Sequence, residues 1–141
     1  MAGQNIQPLL PSCRILVVET ESSIRVSLCD SMTEAGATVV AATDGEDAVA
    51  QLAKDHLDVV VTAIDLPGMT GLELLVRIKE TQPDLPVIVL TTYQRLDQAR
   101  AALDRGAYDY ATKPFPDEKI IRMVANAWSL TQMKYEVSHP M

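Results

Sequence analysis

VVVTAIDLPGMTG, residues 59–71, decides how this chain folds. Val59, Val60 and Val61 form a β-branched apolar run of the kind buried on both faces of a parallel sheet. The run ends in Thr62-Ala63-Ile64-Asp65 and turns at Pro67-Gly68. A buried strand ending in this way delivers its last residues to the rim of a sheet, where α/β proteins keep their chemistry. Yet the residue best placed for chemistry is an alanine, Ala63.

Outward from this strand (residues 58–63), apolar runs and helical periods alternate. Upstream, Cys13 to Val18 reads as a strand. Ser22 to Ala35 reads as a helix with Ile24, Leu28, Met32 and Ala35 on one face, stopped by Gly36. Thr38 to Ala42 is a second strand, and Asp44 caps a helix through Lys54 with Ala48, Val49 and Leu52 inward. Downstream, Thr70 caps a helix from Gly71 to Glu80, whose Leu72, Leu75, Val76 and Lys79 are divided between its sides. Pro86 to Thr91 is a fourth strand. Gln94 to Arg105 is a fourth helix with Leu96, Ala99 and Leu103 inward. Ala107 to Thr112 is a short fifth strand, and Asp117 opens a last helix containing Ile120, Ile121, Val124 and Trp128. Five strands alternating with five helices predict an α/β fold with a doubly wound parallel sheet. Residues 1–12 read as a loose N-terminal arm, 13–130 as one domain, and 131–141 as an extension of the last helix or a linker.

The chain has 141 residues, 48% hydrophobic and 22% charged, enough for one domain with a proper core. A net charge of −7 argues against direct nucleic-acid contact and against an anionic membrane surface. Cys13 and Cys29 read as buried thiols rather than a disulfide, and His56 and His139 as isolated, solvated side chains. With no basic, apolar leader and no run approaching the roughly 18 residues of a membrane span, the expected location is the cytoplasm.

The residues just past the strand ends are Glu19, Thr20 and Glu21; Ala63, Ile64 and Asp65; Thr91 and Thr92; and Lys113 before Pro114. Around them, "ILVVETE", "IDLPGMTGLELL", "VIVLTT" and "RGAYDYATKPF" resemble the receiver domain of bacterial two-component response regulators, over roughly residues 13–130. The resemblance implies a five-stranded (βα)5 sheet of flavodoxin type. It implies an acidic pair after the first strand and an aspartate ending the third that binds Mg2+ and accepts a phosphoryl group from a histidine kinase. A lysine and a hydroxyl then stabilise the acyl phosphate.

Carried over residue by residue, Lys113 stands at the phosphate-contacting lysine, Thr91 at the switch hydroxyl and Tyr110 at the aromatic switch position. Glu19 and Thr20 occupy the acidic pair, so its second acid is missing. Asp65 occupies the position whose backbone carbonyl reaches the metal, and Ala63 the phosphoacceptor position. A methyl group neither accepts a phosphoryl group nor binds a metal, so Mg2+ binding at Glu19 and Asp65 is expected to be weak or absent. Either Ala63 is natural and marks a pseudo-receiver, or it is an engineered Asp-to-Ala change; a second lesion at Thr20 favours the natural reading. Lys113 is then free to pair with Glu19 or Asp65. The resemblance also implies a cis Lys113-Pro114 bond.

The expected function is a non-enzymatic signalling module acting through protein contacts, with a histidine kinase or a regulator's output domain as partner. The face of the fourth helix, fifth strand and fifth helix is implied as a possible homodimer surface. Leu130, Met133 and Val137, three and four apart, mark a possible apolar seam on the last helix. The alternative is a flavodoxin-like protein or enzyme binding a small cofactor. Thr20, Ser22 and Ser23 would face its phosphate, but Glu19 and Glu21 flank them with negative charge, and aromatics make up only 4%.

Overall fold

Short β-branched runs build the centre of the molecule. In the computed structural model, which describes residues 9–138, β1 (Arg14–Val18), β2 (Thr38–Ala42), β3 (Val59–Ala63), β4 (Val87–Thr91) and β5 (Asp109–Thr112) form one parallel sheet in the order β2-β1-β3-β4-β5. Val17 pairs with Ala41 on one side and Val61 on the other, and Val61 pairs with Ile88. This register brings the carboxyl ends of β1, β3 and β4 to a common rim. β3 lies in the middle, and each of its residues is buried.

Alternate residues of the strands feed two separate cores. Ile15, Val17, Val59, Val61, Ile88 and Leu90 pack under α1 (Ser22–Glu34) and α5 (Asp117–Ser138), against Leu28, Met32, Ile120 and Val124. Leu16, Val60, Val87 and Val89 pack on the other face under α2 (Gly45–Lys54), α3 (Gly71–Thr81) and α4 (Leu96–Asp104). Each such side chain contributes about 1.5–3 kcal/mol by leaving water. The doubly wound sheet expected from the alternation of periods is therefore present.

The helix ends follow local chemistry. Asp44 accepts a hydrogen bond from the Asp47 N–H, and Thr70 and Glu73 form a reciprocal capping box. Gly36, at φ 103°, ends α1. Ser27 Oγ and Ser31 Oγ both donate to Asp117 Oδ2, at 2.6 and 2.7 Å, and so tie α1 to the first turn of α5.

Three expectations need correction. Leu96 and Leu103 do not point inward: they are 38% and 39% exposed, and α4 buries Ala99 and Ala102 instead. The chain leaves β4 through a 3-10 turn, Tyr93–Arg95, before α4 begins, and that tighter winding shifts the face presented to the sheet. Small alanines then let the helix sit close to the strands. Cys29, expected to be a buried thiol like Cys13, is only half-buried, to one side of the α1 stripe of Leu28 and Met32. The third concerns the arm. Its residues 1–8 fall outside the described residues, but its end is docked rather than loose. Leu10 is fully buried, and the N–H groups of Leu10 and Ser12 donate to the carbonyls of Ala35 and Gly36.

The last helix continues past the body of the domain, and Leu130, Met133 and Val137 are exposed along it. Cys13 and Cys29 are both free thiols. Among the described residues, no helix is long and apolar enough to cross a membrane.

Candidate functional site

The rim is assembled from the loops that follow β1, β3, β4 and β5. Glu19 leaves β1 with its N–H held by the Ala42 carbonyl, and its side chain is buried at 1% exposure. Lys113 leaves β5 with its N–H on the Thr91 carbonyl, through a cis Lys113-Pro114 bond, and its side chain is 15% exposed. Lys113 Nζ lies 2.7 Å from Glu19 Oε1 and donates to Glu21 Oε1 at 3.2 Å. The first contact is a short, buried ion pair. Glu19 Oε2 accepts the Glu21 N–H at 3.1 Å. One ammonium thus lies between two carboxylates, one of them out of water.

The other rim residues are engaged elsewhere. The Thr20 hydroxyl donates to the Thr43 carbonyl at 2.8 Å, which turns it toward the β2–α2 loop. Asp65 is exposed and pairs with Arg95 Nε at 3.4 Å. Of the two partners expected for Lys113, therefore, Glu19 is the one it has, and Asp65 is drawn to Arg95 instead. Thr91 is buried, and its hydroxyl bonds locally to the carbonyls of Thr92 and Arg95 at 3.3 and 3.4 Å. Tyr110 is half-buried against the core beneath α2, α3 and α4. Its N–H donates to Asp109 Oδ1.

Ala63 ends β3 beneath this layer, 1% exposed. The turn after it closes tightly: Ile64 N–H donates to the Leu90 carbonyl and Gly71 N–H to the Ile64 carbonyl, both at 2.9 Å. A Cβ on Gly71 would stand 2.1 Å from the Ala63 carbonyl oxygen, so only glycine fits there. Gly68, at φ 74°, makes the preceding bend.

Two arginines complete the rim, and neither was anticipated from the sequence. Arg25 Nη1 donates to the carbonyls of Glu19 and Thr20, and Arg95 crosses from the β4–α4 segment to Asp65. Arg25 stands four residues after Glu21, a spacing that hints at proximity. Arg95 carries no such local signal, because the sheet order brings it there. His56 is exposed but not isolated as expected: its Nε2 lies 3.2 Å from Asp58 Oδ1. His139 lies outside the described residues.

Residues 15–125 match the family model of the response regulator receiver domain. The chain belongs to that family. This receiver domain is 40% identical over 115 residues to the DNA-binding transcriptional regulator NtrC of Salmonella typhimurium, covering 82% of the chain and 24% of NtrC. It is 39% identical over 110 residues to the response regulator MprA of Mycobacterium ulcerans, covering 78% of the chain and 47% of MprA. It thus spans less than half the length of these curated relatives. Among solved structures, NtrX from Brucella abortus superposes with a TM-score of 0.86 at 32% identity, over 90% of this chain and 29% of NtrX. A response regulator receiver domain protein from Clostridium thermocellum superposes with a TM-score of 0.81 at 28% identity, over 86% of this chain and 98% of that one.

Proposed function

We propose that this receiver domain is phosphoacceptor-deficient and signals through protein contacts without accepting a phosphoryl group itself. The observation that carries this reading is Ala63, a methyl group at the buried carboxyl end of the central strand. Acyl-phosphate formation needs a carboxylate oxygen as nucleophile, and Ala63 offers none. Thr91 and Lys113, the family's hydroxyl and lysine positions, are engaged with local carbonyls and with Glu19. Tyr110 takes the aromatic switch position. Two departures at one site, Ala63 and Thr20, favour a natural pseudo-receiver over a single engineered change.

The donor set does not fit the Mg2+ of the family. Mg2+ takes hard oxygen ligands in octahedral geometry. Here Glu19 faces an ammonium, Thr20 Oγ1 points to Thr43 and Ala63 has no side-chain oxygen, which leaves only the backbone carbonyl of Asp65. Among the described residues, no three His, Cys, Asp or Glu side chains cluster closely enough to hold a metal ion. The proposed reading gives the domain neither a catalytic step nor a cofactor of its own.

Its partners are proteins: a histidine kinase, the output domain of a regulator, or a second copy of the chain. Tyr93, Leu96, Leu103 and Tyr108 are exposed around α4 and β5, which supports self-association through α4, β5 and α5. With a net charge of −7, the domain leaves any nucleic-acid contact to other segments, and it works in the cytoplasm. Light scattering across a concentration series tests the dimer, and a constant monomer mass argues against it.

Intact mass after incubation with acetyl phosphate and Mg2+ tests the central reading. The chain is expected to gain no phosphoryl group; a gain that survives removal of the reagents overturns the proposal. Run in parallel, Ala63→Asp localises the loss: modification there confines it to Ala63, whereas none extends it to Thr20 and the Lys113 pair.

A further inference from the structure

The Glu19–Lys113–Glu21 cluster carries an inference that deepens this reading of the rim. Glu19 is buried at 1% exposure, and the polar contact of its Oε1 is with the Lys113 ammonium. A carboxylate in that state is costly unless a cation stands against it. The nearest cation is Lys113 Nζ, 2.7 Å away and itself largely buried, and a second carboxylate, Glu21, meets the same ammonium at 3.2 Å. Arg25 fixes the carbonyls of Glu19 and Thr20, so the backbone carrying the carboxylates is held from behind.

We propose that the Lys113 ammonium is the resident cation of this rim, held between Glu19 and Glu21. The charge requirement of the buried carboxylate is met from within the chain, so the rim does not answer to divalent cations. Two consequences separate this from an ordinary salt bridge. Divalent ions leave the chain as given untouched, and removal of the ammonium uncovers a carboxylate pair able to attract them.

The inference rests on the rim assignment made above, but its test uses no phosphodonor, so it can fail while the phosphoacceptor reading stands. The probe is MnCl2, whose paramagnetism broadens amide signals near a bound ion, added to the full chain. The chain as given is expected to show no selective broadening at residues 19–21 and 63–65. Lys113→Met is expected to gain broadening at Glu19 and Glu21, and Lys113→Met combined with Glu19→Gln to lose it again. Selective broadening in the chain as given overturns the proposal, because the metal then displaces the ammonium. A folded Lys113→Met chain without broadening overturns it too, because the carboxylates then make no cation site. Should Lys113→Met not fold, thermal unfolding of the chain as given decides. The proposal expects MgCl2 to shift the transition no more than NaCl at equal ionic strength, whereas a specific upward shift shows divalent binding to the native rim and overturns it.

Discussion

Lys113 is the rim side chain whose removal has the clearest energetic consequence. Taking it away leaves Glu19 buried and uncompensated, and breaking a buried pair from one side costs about 3–5 kcal/mol. Urea denaturation of Lys113→Met checks this, and a cost below about 1 kcal/mol would class the pair with exposed surface bridges. Adding Glu19→Gln removes the stranded charge and is expected to recover part of the loss, with a coupling of about 0.5–3 kcal/mol. Gly71 is a second sensitive residue. Gly71→Ala sets a methyl group against the Ala63 carbonyl and is expected to destabilise by about 1–3 kcal/mol or more, read by the same measurement. Cys13 shows the same dependence on burial. Burial, reinforced by Asp58, pushes its thiol up from 9.0 to about 12. The folded chain therefore keeps its proton where the unfolded chain releases it, and stability falls as pH rises from about 9 toward about 12. Cys13→Ala is expected to flatten that part of the pH–stability curve. A thiol reagent at neutral pH is expected to spare Cys13 until the chain unfolds.

Elements were legible in the sequence where local signals and burial agree. Val59-Val60-Val61 had to be a central strand, and it is one. Thr70 announced the start of α3, and it caps that helix in a box completed by Glu73. Thr70→Ala is expected to cost about 1 kcal/mol in urea denaturation. Legibility failed where tertiary context sets the outcome. Leu96 and Leu103 have the spacing of an inward face, but a 3-10 turn rotates α4, and two alanines take the contact. Leu10 sits among prolines and reads as part of a loose arm, yet the end of α1 gives its backbone a partner and the core takes its side chain. At the rim, the sequence supplied the right residues without their pairing. Glu19 and Asp65 were equal candidates for Lys113 until the sheet order placed Arg95 beside Asp65.

For the whole molecule, the proposed loss of the phosphoacceptor raises the question of what would replace a phosphoryl group as the signal. Phosphorylation would add about −1.5 to −2 charges at one point of the rim. Moving a two-state domain from 1:99 to 99:1 takes about 5.5 kcal/mol of differential binding. On the proposed reading that difference comes from a protein partner, a small ligand or a fixed bias in the sequence, or the rim stays in the arrangement set by Lys113 with Glu19 and Arg95 with Asp65. Exposed Tyr93 and Leu96 stand at the end of the segment that Arg95 anchors, so a partner seated there would meet a preset surface. The most direct test is an amide NMR spectrum of the full chain with and without beryllofluoride and Mg2+, which imitate a bound phosphoryl group on an aspartate. A rim without an acceptor predicts superimposable spectra from Glu19 through Arg95 to Lys113. Saturable shifts in the β3–α3 and β4–α4 segments would contradict it, because the site would then bind the phosphoryl mimic that Ala63 is argued to exclude.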